Sequence, residues 1–344
     1  MRELGVGVIG CGYWGVNLIR NFANAPGWDL RWACDADENR ARTSVGKYRV
    51  SVADSVAAVL GDPAVTAVAI ATPPTSHAAL TLAAIEAGKH VLVEKPLARS
   101  LAEAEEVATA ARTARTVVMC DHTYCYTPAV RQIRSLVDKG EIGQIHYFDS
   151  VRINLGLVQP DVDVFWDLAF HDLSILDFIL PVDVVPVSVA AHGADPIGFG
   201  QACTGYLTLP LRGGGIAHAH VNWLSPTKIR RIIIGGSERM IVWDDLEPSE
   251  RLRVYDKGVS LAAALPPDER RASLISYRLG DMVAPALAET EALQGVVEEF
   301  RRAILEERPP TTDFEAGLRV VRVLEAASAS RMDGGRLVAL ADYR

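Results

Sequence analysis

Gly10-Cys11-Gly12-Tyr13-Trp14-Gly15 follows the apolar run Val6 to Ile9 and opens an amphipathic segment, and Asp35 closes a second apolar run twenty residues after Gly15. Gly10 permits a tight strand-to-helix turn, Gly12 lets backbone approach a pyrophosphate, and Gly15 lets the new helix lie against the strand. A carboxylate at Asp35 accepts hydrogen bonds from a ribose hydroxyl and repels an added 2′-phosphate. The pattern predicts a dinucleotide site that prefers NAD to NADP. Arg40 and Arg42 are the opposing feature, since cations there suit the extra phosphate. A glycine turn alone is a weak signal; the preceding strand, the following helix and the spaced acid make this one specific.

The remaining length has to be accounted for. A chain of 344 residues exceeds what one hydrophobic core usually organises, which predicts two domains. The net charge of −8 and the lack of any basic block argue against nucleic acid as a partner. The first residues run into a strand without a charged and then apolar leader, and no apolar run approaches membrane-spanning length, as expected of a cytoplasmic enzyme. Cys11, Cys34, Cys120, Cys125 and Cys203 form no Cys-x-x-Cys pair and read as reduced thiols. The spacing in Cys120-Asp121-His122 with Cys125 matches no usual zinc pattern, so no metal is expected.

Strand patterns at 4–9, 30–34, 65–71, 91–93 and 117–120 alternate with helical ones at 13–25, 37–46 and 76–87. Ser100 with Glu103 three residues on is a capping-box signature for one more helix. This rhythm predicts an α/β chain whose N-terminal domain, residues 1–121, is a doubly wound Rossmann sheet. Beyond it come a helix at 128–139 and long alternating segments at 144–154, 184–191, 203–209, 215–223, 229–235, 240–243 and 252–255. Helices are predicted at 164–180, 290–306 and 313–332. The C-terminal domain, residues 122–344, is therefore expected to be α/β with an open, mostly antiparallel sheet that serves substrate binding and oligomerisation. An open sheet must protect its second face, which predicts a homodimer or homotetramer unless that face is polar. Arg230-Arg231 beside Ile232 to Ile234 leaves the periodicity there unresolved.

Oxidation of a carbinol by hydride transfer needs a base for the hydroxyl proton and a donor or cation for the developing alkoxide. Glu94-Lys95-Pro96 falls at the carboxyl end of a parallel strand, where ligands bind in such sheets, and Pro96 fixes the backbone just after Lys95. Trp166-Asp167-Leu168-Ala169-Phe170-His171-Asp172 spaces Asp167 and His171 at i and i+4, one face of a helix, and imidazole titrates near neutral pH. A surface ion pair is the competing reading of that spacing. Thr72-Pro73 ends the central strand and is placed to line the nicotinamide side, with His77 either a cofactor contact or a helix-start residue. Tyr124 and Tyr126 are candidates to flank substrate, or to pack.

The glycine turn, Thr72-Pro73, Glu94-Lys95-Pro96 and the Asp167 to His171 pair occur in the order and spacing of the Gfo/Idh/MocA oxidoreductases, which the chain resembles over nearly its whole length. The resemblance implies a nicotinamide cofactor, Lys95 and His171 as the catalytic pair, Asp167 at the substrate, and reaction at a sugar or cyclitol carbon. Gly12-Tyr13-Trp14-Gly15, the run Val151 to Gly156 and Trp166-Asp167-Leu168 resemble a branch of sugar-nucleotide, polysaccharide and aminoglycoside pathways that often makes a 3-keto sugar. On that likeness Tyr13, Trp14 and Glu94 join the cofactor contacts, and Arg152 and Asn154 the substrate contacts. Ala169, where glycine often precedes the histidine, and Ser174, where a second acid often follows it, depart from the common pattern. The expected activity is NAD-dependent oxidation of a secondary hydroxyl, C3 of a sugar nucleotide or aminoglycoside-type glycoside. Alternatives are an NADPH-dependent ketosugar reductase, a cyclitol dehydrogenase, and a nucleotide sensor without activity.

Overall fold

The computed structural model describes residues 3–156, 158–159, 161–261, 275–341 and 343. The chain begins with β1 (Leu4–Ile9), α1 (Tyr13–Asn24), β2 (Trp28–Cys34), α2 (Glu38–Val45), β3 (Ser51–Ala53), α3 (Val56–Gly61), β4 (Ala67–Ile70), α4 (His77–Glu86), β5 (His90–Glu94), α5 (Leu101–Thr113) and β6 (Val118–Asp121). The strands form one sheet in the order β3-β2-β1-β4-β5-β6, every pairing parallel. The order reverses between β1 and β4, so the carboxyl ends of these two strands flank the crevice where ligands bind in doubly wound sheets. β1, β4 and β5 read as continuous apolar runs because helices bury both sheet faces. Local signals set the helix ends. The Asp37 carboxylate accepts from the Asn39 and Arg40 amides, and Ser100 Oγ accepts from the Glu103 amide at 3.3 Å. The short β3 and α3 carry too few residues for a periodicity to show.

The chain continues through α6 (Pro128–Asp138), β7 (Ile145–Leu155), α7 (Phe170–Ile179), β8 (Ser188–Ala194), β9 (Thr204–Pro210), β10 (Ile216–Asn222), β11 (Leu224–Gly236), β12 (Met240–Asp244), β13 (Leu252–Leu261), β14 (Ile275–Val283), α8 (Ala292–Leu305), α9 (Phe314–Met332) and β15 (Val338–Ala339). Nine strands form a second sheet, β14-β13-β12-β11-β7-β10-β9-β8-β15. It is antiparallel except where β7 pairs with β10. Alternation is clean in its middle. Ala217, Ala219 and Val221 are buried while His218 and His220 stand on the other face, where Tyr206, 45% exposed, stacks on them with ring centroids 5.8 and 4.4 Å apart. β11 alternates too: Ile232 and Ile234 are buried, and Arg231 on the open face pairs with Asp244 at 2.7 Å.

The compact units differ from the expected break at residue 121. One comprises Met1–Thr127 with Thr290–Glu325, the other Pro128–Glu289 with Ala326–Arg344. Packing explains the return of the chain to the first unit. Phe300 of α8 stacks on Trp28 at 5.6 Å, Trp28 meets Phe22 edge-on at 5.0 Å, and Arg20 forks onto Glu291 at 2.6 and 2.8 Å. The strand edge at β6 is closed as well, because Cys120 donates its amide to Thr312 O and Thr312 Oγ1 donates to Cys120 O.

Candidate active site

The three glycines of the first turn have three different environments. Gly10 has φ +93°, and a Cβ there would lie 2.6 Å from the Ala71 backbone. A Cβ on Gly15 would lie 2.0 Å from Gly10 O, so α1 rests directly on the turn. A Cβ on Gly12 meets nothing within 4 Å, and no side chain caps the amides of α1 behind it. That open, uncapped helix start is the cradle a pyrophosphate fits. Tyr13 and Trp14, 84% and 39% exposed, stand at its rim with rings edge-to-face at 5.8 Å. Asp35 is held in place by the Cys11 amide at 2.7 Å and the Asp37 amide at 2.9 Å. Acids occupy both arginines that would favour NADP: Arg40 lies 3.4 Å from Asp35 and 3.8 Å from Asp37, and Arg42 pairs with Glu38. The residues present therefore fit NAD.

Gly12→Ala is expected to leave thermal stability nearly unchanged and to weaken NAD binding at least about tenfold by calorimetry, because the new Cβ enters the cradle and meets no protein atom within 4 Å. Gly15→Val should instead unfold the unit, since its Cβ overlaps a carbonyl.

Lys95 is half-buried at the end of β5, between buried Glu94 and Pro96, and the Lys95–Pro96 peptide is cis. The structure corrects the expectation for His77. It is 1% exposed, with Nδ1 2.7 Å from Pro96 O and Nε2 2.8 Å from Thr72 O. Its ring ties together the loops after β4 and β5 rather than facing a cofactor, and burial pushes its pKa down. Glu94, expected to contact cofactor, is 6% exposed, and its carboxyl group faces Asp121 on the neighbouring strand. Tyr126 is also a packing residue: it is 3% exposed and its hydroxyl is 2.9 Å from Thr312 Oγ1. Tyr124 remains half-buried.

In the second unit the expected helix over 164–180 forms, but its start is a π-helical turn, Phe165–Ala169, that runs directly into α7. Such widened turns gather at functional sites. Asp163 caps the turn, its Oδ1 accepting from the Phe165 and Trp166 amides at 3.0 and 3.2 Å. Asp167 lies within the turn, so the simple i, i+4 face drawn from a regular helix does not run through it. Trp223, 1% exposed, donates Nε1–H to Asp167 Oδ2 at 3.0 Å, which fixes the carboxylate. Trp223 was not among the predicted site residues, although an indole at a strand end needs a buried acceptor. His171 follows at the start of α7, half-buried, and Ser174 Oγ donates to its carbonyl at 2.8 Å.

Arg152, expected at the substrate, is buried against an acid. It is 3% exposed and forks onto Asp172, itself 1% exposed, through Nε at 3.1 Å to both oxygens and Nη2 at 3.0 Å. The pair joins β7 to α7 one residue after His171, and so braces the helix that carries the imidazole. Asn154, two residues along β7, is half-exposed.

A 3-2-1-4-5-6 parallel sheet, an open glycine cradle and a strand-end lysine define a dinucleotide-dependent oxidoreductase. The chain belongs to the Gfo/Idh/MocA family: the model described as "Oxidoreductase family, NAD-binding Rossmann fold" matches residues 4–122, and the GFO/IDH/MocA C-terminal domain matches 130–242. It is 29% identical over 331 residues to UDP-N-acetylglucosamine 3-dehydrogenase of Acidithiobacillus ferrooxidans, covering 93% of this chain and 95% of the relative. The solved structure of that enzyme, GnnA, superposes with TM-score 0.81 at 25% identity over 98% of this chain and 100% of the other. GenD2 from gentamicin A biosynthesis, solved with NAD, superposes with TM-score 0.80 at 25% identity over 98% and 97% of the two chains. The protein is an NAD-dependent oxidoreductase.

Proposed function

We propose that the protein oxidises a secondary hydroxyl, at C3, of a sugar nucleotide or aminoglycoside-type glycoside to the ketone. The observation that carries this reading is the full-length likeness to a UDP-N-acetylglucosamine 3-dehydrogenase, and Lys95, Asp167 and His171 of this chain support it as the residue types the chemistry needs. NAD, when bound, supplies the acceptor for the hydride. The carbinol C–H bond breaks with its electron pair leaving as hydride, the O–H bond breaks, and the carbon–oxygen bond becomes C=O. His171 takes the hydroxyl proton, Lys95 steadies the alkoxide as it forms, and Asp167, fixed by Trp223, accepts a hydrogen bond from a sugar hydroxyl.

The test is incubation with NAD and a panel of UDP-hexoses, UDP-N-acetylglucosamine and aminoglycoside-type glycosides, read at the reduced-nicotinamide absorbance. Turnover of a panel sugar supports the reading. Turnover of inositols alone, or reduction of a ketosugar by NADPH alone, replaces it. Tyr206, His218 and His220 on the open sheet face support a homo-oligomer formed there, and the buried thiols suit a cytoplasmic setting. Light scattering on the wild type and on Tyr206→Asp checks the assembly: a wild-type dimer or tetramer that dissociates in the variant is expected, and a wild-type monomer would refute it.

A further inference from the structure

Glu94 and Asp121 are the last residues of adjacent parallel strands and sit opposite one another in register. They are 6% and 1% exposed. Two of their four carboxyl oxygens have donors: Lys95 N reaches Glu94 Oε2 at 3.2 Å, and Thr123 Oγ1 reaches Asp121 Oδ1 at 2.8 Å. The other two, Glu94 Oε1 and Asp121 Oδ2, are buried with no donor among the described residues. Two buried carboxylates with an orphan oxygen apiece are costly on both counts, as unpaired acceptors and as like charges in contact. One proton placed between these two register partners removes both penalties. We propose that Glu94 and Asp121 hold one proton between them and thereby set a single buried negative charge beside Lys95, which makes Asp121 a positioning residue for that lysine.

The surroundings fit this assignment. Burial first, and then the Asp121 charge, push the Glu94 carboxyl well above the usual carboxylate range, with Lys95 opposing; burial also raises Asp121. Cys120 adds no further negative charge beside the pair, because burial pushes its thiol well up, and Cys125 beside it is fully buried. His122, the next residue after Asp121, is buried as well. Lys95 follows Glu94 directly in the chain and donates its amide to Glu94 Oε2 at 3.2 Å, and the consequence for catalysis rests on the function proposed above. The shared proton itself does not.

Infrared spectra of the whole protein at neutral pH, without substrate, test the proton directly. The difference between wild type and Asp121→Asn should show loss of one protonated-carboxyl band, because the amide supplies the donor and leaves Glu94 ionised; Glu94→Gln should lose the same band. Persistence of the band in both variants, or no such band in either difference spectrum, overturns the proposal. Kinetics give a second readout. Asp121→Asn keeps one charge and Asp121→Leu leaves none, since a lone buried Glu94 then stays protonated; kcat of the leucine variant is expected at least about tenfold below that of the asparagine variant, with a smaller change in KM. Equal kcat values for the two would refute the role at Lys95 while leaving the infrared result to decide the proton. If Lys95→Ala kept full turnover, the function would be wrong and the infrared band unaffected.

Discussion

Lys95→Ala is expected to lower kcat for sugar oxidation by about 10²- to 10⁴-fold and to leave the Kd for NAD within about threefold. The two effects separate because different parts of the first unit are responsible. The dinucleotide is held by the Gly10 to Gly15 turn and Asp35, whose geometry depends on backbone contacts that Lys95 does not make. Lys95 stands instead at the carboxyl end of β5, with its backbone held between a buried acid and a proline. Stopped-flow measurement of reduced nicotinamide, together with calorimetric titration of NAD, reads both quantities. Turnover retained in the variant would remove Lys95 from the chemistry, and loss of NAD affinity of the same size as the kcat loss would make it a binding residue.

Asp172→Ala is expected to destabilise the protein by about 3–5 kcal/mol, because it removes the buried acid onto which the buried Arg152 guanidinium forks. The isolated pair contributes much less than this figure, since desolvation of two charges offsets most of their attraction. Arg152→Met with Asp172→Leu should therefore cost less than Asp172→Ala alone, and denaturant unfolding of the three proteins orders them. An Asp172→Ala protein as stable as wild type would show that the fork seen between β7 and α7 does not form in solution. The double variant has a further use: its kcat should fall even where its stability is retained, because His171 begins the helix that the pair braces.

The helices and strands were legible where a period had room to repeat. β1, β4 and β5 announce themselves as apolar runs, and α1 begins where the glycine turn requires it. β3, with three residues, and α3, with six, carry no readable period, and β14 lies apart from the other strand signals. The return of α8 to the first unit depends on Phe300 meeting Trp28, a contact between residues far apart in the chain that no local pattern encodes. Nor did a regular helical period foresee the π-helical turn at Asp167, because a single widened turn leaves the apolar spacing around it nearly intact.

Within the candidate site, motifs located the residues and burial decided what they do. Gly10 and Gly15 were legible because each answers to a backbone constraint, a positive φ in one case and a Cβ overlapping a carbonyl in the other. For Arg152, Tyr126 and His77 the sequence could not choose between ligand contact and packing, because a polar side chain near a motif looks like a ligand contact until its buried partners, Asp172, Thr312 and the carbonyls of Thr72 and Pro96, are seen. Trp223 and Asp121 were missed because their importance lies in the partner each one faces, Asp167 and Glu94.

Hydride transfer from C3 is tested most directly with a sugar substrate carrying deuterium at that carbon, followed by mass spectrometry of the nicotinamide recovered after a single turnover. One deuterium on the nicotinamide ring, and a ketone at C3 of the sugar, is the predicted result. Reduced nicotinamide formed without deuterium would place the reacting carbon elsewhere, and no reduced nicotinamide with any sugar of the panel would contradict sugar oxidation itself.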